Sequence, residues 1–197
     1  MSKPVQPLRC GPDVATPESA ELGWPRRVMI IGGSGSGKST TARAVGAKLG
    51  LPVYHMDREV HWLPGWVERD REEKIARAIA ILERDAWVFE GGHSATFAER
   101  LARADMLIWT DAPFWLRIWR VSWRCFRDWG KTRPDMADGC PEDPRELPDF
   151  WRFLLANRRR NDARLKETFG SAEIPKFHLR SFREIDAFVE GLRQANA

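Results

Sequence analysis

The chain has 197 residues, which suits one domain, and 43% of them are hydrophobic, enough to bury a sizeable core. No apolar run approaches the ~20 residues that span a bilayer. No apolar stretch follows Lys3 as a secretory signal would, so the expectation is a cytoplasmic protein. Cys10, Cys125 and Cys140 are too scattered for a disulfide framework or a paired zinc motif.

Of the 32 basic residues 25 are arginine, the side chain suited to bidentate contact with phosphate, although a GC-rich coding sequence enriches arginine as well. The net charge of +4 is weak support for a nucleic-acid partner.

Taken in chain order, residues 1–25 carry five prolines and few large apolar groups, and read as a flexible tail. Residues 26–197 read as one domain. Val28-Met29-Ile30-Ile31 is a continuous apolar run of the kind buried in a parallel sheet. Lys38–Leu49 follows as a helix, with Gly50 at its C-cap and Pro52 just beyond. A second strand runs over Pro52–Met56 and ends at Asp57. Ile75, Ile79 and Leu82 predict a helix over Glu68–Glu83.

Trp87-Val88-Phe89 makes a third strand, ending at Glu90-Gly91-Gly92. Phe97 and Leu101 mark a short helix, Met106–Trp109 a fourth strand, and Lys176–Leu179 a fifth. Asp111 is expected to cap the helix that follows. Ser181 and Glu184 form a capping box for a last helix carrying Ile185, Phe188, Val189 and Leu192 on one stripe. Strands alternating with helices indicate an α/β fold with a parallel sheet. The aperiodic segment at about 128–148 reads as a lid.

The segment Gly32-Gly33-Ser34-Gly35-Ser36-Gly37-Lys38-Ser39 fits G-x-x-x-x-G-K-[ST] between a strand and a helix. Glycines at this spacing let backbone N–H groups converge on phosphate, and the helix adds its positive end. The expected nucleotide ligands are Gly33, Gly35, Ser36, Gly37, Lys38, Ser39 and Thr40, with Lys38 near the β- and γ-phosphates, Thr40 near the α-phosphate and Ser39 on Mg²⁺.

Ligands of open α/β sheets sit beyond the carboxyl ends of the strands, which brings Asp57 and Glu90 to this loop. Asp57 suits a magnesium-bound water or the general base for an acceptor hydroxyl, and a capping or solvated aspartate is the plain alternative. Glu90 suits magnesium, and Gly91 a close approach of substrate to the backbone. Arg117, Arg120, Arg124 and Arg127 share a helical face, with Trp115, Trp119 and Trp123 on the next. Arg158, Arg159, Arg160 and Arg164 follow the lid.

Of these, Arg120, Arg124 and Arg158 are expected to join Lys38 and Asp57 in catalysis, closing over the transferring group. An arginine–tryptophan helix also suits nucleic acid or a membrane surface, and the plain reading puts the tryptophans in the core and the arginines in solvent. His93 either faces substrate or is structural.

The run Ile31–Ser39, then Leu51-Pro-Val-Tyr-His-Met-Asp57, resembles the adenylate-kinase-like P-loop proteins called topology modulation proteins. So do Pro64-Gly65-Trp66, Arg100–Asp105 and Arg133–Glu142. The resemblance spans about Arg27 to Leu192. It implies a P-loop NTPase three-layer fold, a five-stranded parallel sheet in order 2-3-1-4-5 with helices on both faces and a lid. It also implies ATP binding.

The chain departs from adenylate kinases after strand three. Glu90-Gly91-Gly92-His93 stands where those enzymes carry an arginine that holds the monophosphate. Arg58 or Arg100 then becomes the candidate for a phosphorylated acceptor, and Trp62 and Trp66 candidates to stack on a base or sugar. The reading is an ATP- and Mg²⁺-dependent kinase for a small-molecule or nucleotide acceptor, monomeric or homodimeric. Its alternative is an ATP-binding protein that modulates DNA topology or gene expression.

Overall fold

The computed structural model describes residues 25–192. The predicted tail, Pro25 apart, lies outside the described residues. Five strands, β1 (Arg27–Gly32), β2 (Val53–His55), β5 (Trp87–Glu90), β6 (Met106–Thr110) and β7 (Lys176–Leu179), form one sheet in spatial order β2-β5-β1-β6-β7. All four pairings are parallel. Counted alone, these five strands run 2-3-1-4-5. The numbering shifts because β3 (Trp62–Leu63) and β4 (Val67–Glu68) form a separate antiparallel hairpin.

Helices cover both faces. α1 (Lys38–Leu49) and α6 (Phe182–Gly191) pack on one face over Val28, Ile30, Val45, Val88, Ile108 and Ile185. The other face carries α2 (Arg71–Leu82), α3 (Phe97–Arg103) and α5 (Leu147–Ser171), over Met29, Ile31, Trp87, Phe89, Leu107 and Trp109. The central strand β1 is apolar without alternation because both of its faces are covered. α4 (Phe114–Arg127) lies at the carboxyl edge of the sheet, against the phosphate loop.

Two boundaries differ from the sequence reading. The helix expected from Glu68 begins at Arg71, because Asp70 accepts from the N–H groups of Glu72 and Glu73 at 2.8 and 2.9 Å. Val67 and Glu68 are instead turned back by Pro64-Gly65-Trp66, where Gly65 (φ 79°) and Trp66 (φ 61°) are both left-handed. Asp111 does not cap α4, whose N-cap is Pro113. Its carboxylate accepts from His178 Nε2 at 3.0 Å, joining β6 to β7.

The expected lid is folded. Residues 129 and 132 bridge to 142 and 141, and a short helical turn at Pro144–Glu146 leads into α5. The lid docks on the hairpin. Gly65 N–H donates to the Gly139 carbonyl at 3.1 Å, and Trp66 Nε1 to the Pro141 carbonyl at 3.0 Å. Trp62 packs on Met136, Ala137 and Cys140. No described helix is long and apolar enough to cross a membrane.

Candidate functional site

The phosphate loop joins β1 to α1. Gly32, Gly35 and Gly37 have φ of 151°, 77° and 100°, values that side chains rarely adopt. A Cβ on Gly32 would sit 2.3 Å from the Thr110 carbonyl oxygen. Ser36 is buried and bonded to Thr110 Oγ1 at 2.7 Å, so it braces the loop from beneath. α1 has no side-chain cap and no acidic residue in its first turn. Its leading N–H groups are therefore left for an anion. Lys38 Nζ donates to the Gly33 carbonyl at 3.1 Å, which folds the ammonium over the loop. Thr40 is exposed on the first turn.

Beside the loop lies an acidic group. Glu90, at the end of β5, accepts from the Ser39 hydroxyl at 2.9 Å and pairs with His55 Nδ1 at 2.8 Å. Burial alone would raise its pKa, but His55, Lys38 and Ser39 outweigh burial and hold the carboxyl below the usual range. Asp57, just beyond β2, is open to solvent. The protein walls around it, and then the Glu90 charge, push its carboxyl above the usual range against the pull of Lys38.

His61 is one turn beyond Asp57, and its ring lies 6.4 Å from that of His93. Burial lowers the pKa of both imidazoles. These groups stand together beyond the carboxyl ends of β2 and β5, with the Glu90 carboxylate buried beneath them.

The donor set at Ser39 and Glu90 consists of hard oxygens, the kind Mg²⁺ takes in ones and twos alongside phosphate and water. Among the described residues no group of three or more His, Cys, Asp or Glu could cage an ion unaided. An ion here would depend on those outside oxygens, with the lid's Asp135, which faces Ser39, as the next carboxylate in reach.

Other expected residues are used differently. Arg100 is fully buried, and its two terminal nitrogens donate to the carbonyls of Gly91 and Phe89, each at 2.8 Å. It stacks over Phe89 at 4.5 Å, and burial lowers its pKa to about 10. It braces the end of β5 and cannot hold an acceptor. Gly91 is buried with its carbonyl so taken, and a Cβ there would lie 2.2 Å from that of Met56, so it serves close packing rather than substrate approach.

Arg58 donates to the lid carbonyl of Pro134 at 2.9 Å, and Trp62 packs against the lid. Both tie the hairpin arm to the lid instead of reaching for an acceptor. Arg124 pairs with Glu142 at 3.4 Å inside the lid, sharing that carboxylate with Arg133. Arg120 lies 3.8 Å over the Phe182 ring, which itself borders Gly37. Arg158 stacks on Phe114 at 4.5 Å, away from Asp57.

Three residues outside the expected set stand at the site. Arg117 is nine-tenths buried, and its Nη1 occupies the space beside Gly33, 1.3 Å from where a Cβ would be. The signal was available, since Phe114, Arg117, Val121 and Cys125 form the buried stripe of α4 at helical spacing. Asp135 of the lid faces Ser39; burial alone would raise its carboxyl, but Arg133 and Ser39 hold it low. Arg164 of α5 donates to Ser94 Oγ at 3.1 Å, beside His93.

Comparison with solved structures agrees with this architecture. Shikimate kinase from Bacteroides thetaiotaomicron matches with a TM-score of 0.50 at 18% identity, covering 85% of this chain and 95% of that one. Shikimate kinase from Acinetobacter baumannii, in complex with shikimate, matches with a TM-score of 0.50 at 16% identity, covering 84% and 89%. No family model and no curated protein matches the chain. Likenesses at this identity establish the fold alone, a five-stranded parallel sheet with helices on both faces.

Proposed function

We propose that the protein is a Mg²⁺-dependent phosphotransferase that moves the γ-phosphoryl group of ATP to a hydroxyl of a small-molecule or nucleotide acceptor, acting in the cytoplasm as a monomer or homodimer. The observation that carries this reading is Asp57. It is an accessible carboxylate with a raised pKa, at the carboxyl edge of the sheet, close to Lys38 and Glu90. A carboxylate so placed suits the role of general base for an acceptor hydroxyl.

The remaining parts fit transfer, which needs positioning and charge stabilisation more than covalent chemistry. The free N–H groups of α1 hold phosphate oxygens. Lys38 swings from the Gly33 carbonyl to the phosphates. Phe182, 42% exposed and covered by Arg120, offers the nucleotide base a stacking surface next to Gly37. His61, His93 and Arg164 line the acceptor side, and Arg164 gives it a taste for anions. Ser39, Glu90 and Asp57 would hold Mg²⁺, which supplies neutralisation of phosphate charge when bound.

The likeness to topology modulation proteins belongs to the same proposal, and with it the alternative of an ATP-binding protein acting on DNA. The exposed Trp115, Trp119 and Trp123 favour keeping that alternative, since bases stack on such rings.

Nucleosides, nucleotides, sugars and hydroxy acids, shikimate among them, would be screened for acceptor-stimulated ADP release, with Lys38→Ala as control. The expected result is stimulation by one class, lost in the control. Magnesium-dependent ATP binding with no stimulated release across the panel would count against transfer. DNA affinity falling steeply with salt would then favour the alternative.

A further inference from the structure

Three arginines from three elements meet in one cavity on the other side of the phosphate loop. Arg117 of α4, Arg158 of α5 and Arg180 after β7 line a space of about 310 Å³ with Asp111, Phe114 and Asp162. Arg117 is 9% exposed, and its Nε has no hydrogen-bond partner. The nearest carboxylate is poorly placed. Asp162 lies 3.7 Å from Arg117 and 3.8 Å from Arg158, beyond hydrogen-bond length. Asp111 is already bonded to His178, whose Nδ1 faces Arg180 at 3.3 Å.

Guanidinium donors therefore outnumber acceptors here, and the one that is buried, Arg117, costs free energy until an acceptor arrives, while Arg158 and Arg180 reach in from the solvent side. Burial also lowers the Arg117 pKa, the direction expected of a cation short of partners. Arg100 also has a buried Nε without a partner, but both of its terminal nitrogens have carbonyls, whereas those of Arg117 have only Asp162 at 3.7 Å. A cavity at the opposite end of the sheet also gathers arginines, Arg26, Arg27, Arg84 and Arg103, but none of them is buried and Arg27 is bonded to Asp105 at 2.9 Å.

We infer that this cavity is a site for a phosphate-type oxyanion, next to the phosphate loop and apart from the acceptor side of the proposed reaction, on whose placement of ATP it rests. Arginine forks match the oxygens of such an anion bidentately. The site is not the one beside Asp57. Asp57 follows β2 at one edge of the order β2-β5-β1-β6-β7, and the cavity lies over β6 and β7. At ~4.8 Å per strand that is roughly 15 Å away. The base surface on Phe182 faces Arg120, not Arg117. The oxyanion and ATP therefore bind together, and Arg117, wedged beside Gly33, connects them. Binding does not depend on transfer activity.

The test is calorimetric titration of the full chain with inorganic phosphate and, separately, with glycerol 2-phosphate, each with and without saturating Mg²⁺ and a non-hydrolysable ATP analogue. The analogue occupies the phosphate loop, so one saturable anion site should remain. Tighter binding of the ester would identify a phosphorylated small molecule as ligand; tighter binding of phosphate would identify the free ion.

Arg180→Ala should weaken that site about tenfold, while Asp162→Asn should strengthen it by removing a negative charge. Arg180→Ala keeps the backbone N–H that bonds Glu184 at 2.8 Å, so α6 retains its cap, and a thermal melt checks the fold. Loss of all anion binding when the analogue is present would overturn the inference. So would the absence of saturation by either probe, or an unchanged affinity in Arg180→Ala.

Discussion

The two halves of the sheet's carboxyl edge carry opposite chemistry. Over β2 and β5 stand Asp57, Glu90 and the lid's Asp135; over β6 and β7 stand Arg117, Arg158 and Arg180. The phosphate loop runs between them. The acidic half is largely satisfied from within, since Glu90 holds both Ser39 and His55. The basic half leaves the terminal nitrogens of Arg117 and its buried Nε without a hydrogen-bond partner; on the acidic side the Nε of Arg100 and the Nε2 of His93 are left so. Buried polar groups are nearly always bonded, so the unbonded ones point to what a ligand must supply. On this view the acidic half is already arranged for proton transfer, and the basic half waits for an anion.

The sharpest way to break that contrast is at Asp57. Asp57→Asn should lower kcat by about 10²–10⁴ with a smaller loss of Mg²⁺-ATP affinity, because Asp57 is one of three groups proposed for the ion and the only one proposed as base. The raised pKa fixes a second sign. The folded protein holds this proton more tightly than the unfolded chain does, so the Asp57 contribution to stability is full below the unfolded pKa. It is lost as pH rises through the folded value. At neutral pH Asp57→Asn should therefore raise Tm while it removes turnover. A melt showing a lower Tm, or a variant with intact kcat, would place Asp57 outside the reaction.

The acid half of the kcat/KM profile offers a check on the parent protein. Its midpoint should lie above the ordinary aspartate range, since the ionised carboxylate is the active form.

Much of the acidic half was legible in the sequence. The five strands, α1 with its Gly50 cap, and the Ser181 cap all follow from local pattern, and local pattern is where sequence reading is strong. The hairpin at 62–68 was missed although Pro64-Gly65 signals a turn, because its strands of two residues each are too short to show alternation.

The uses of the arginines were hidden for another reason. Whether an arginine is spent depends on partners far along the chain. Arg117 meets Gly33 across 84 positions of sequence. Arg100 meets the carbonyls of Phe89 and Gly91 only because α3 folds back on β5. On α4 the plain reading is inverted, with Trp115, Trp119 and Trp123 exposed and Arg117 buried.

Arg100 sharpens the comparison as the buried arginine whose two terminal nitrogens are both bonded. Arg100→Ala leaves two buried carbonyls unpaired and opens space under Phe89. It should cost about 3 kcal/mol in stability, from charge-assisted bonds at ~1.5–3 kcal/mol each. For a domain of this size that lowers Tm by roughly 6–12 °C. Arg100→Lys should not restore it, because an ammonium cannot bridge two carbonyls as the fork does. If Arg100→Ala melted normally but lost acceptor binding, the residue would belong to the substrate after all. The brace assigned to it at the end of β5 would then be wrong.

The smallest expected effect lies at the seam between the halves. A methyl group on Gly33 would meet the Arg117 guanidinium, which is the far end of a flexible side chain, so Gly33→Ala should fold and simply push Arg117 aside. The phosphate nest keeps its left-handed glycines at 32, 35 and 37, so ATP binding survives. What changes is the coupling between the nest and the cavity, and a shift of about fivefold in ATP affinity, at the low end of usual coupling strengths, is expected.

By reciprocity the same variant shifts phosphate affinity by the same factor when ATP is present. Titrating each ligand with and without the other, in the parent and in Gly33→Ala, measures both sides of that cycle. Equal factors in the two directions, abolished together by the extra methyl, would show Arg117 linking the acidic and basic halves. A cycle that closes with no interaction in the parent protein would leave them as two independent sites on one fold.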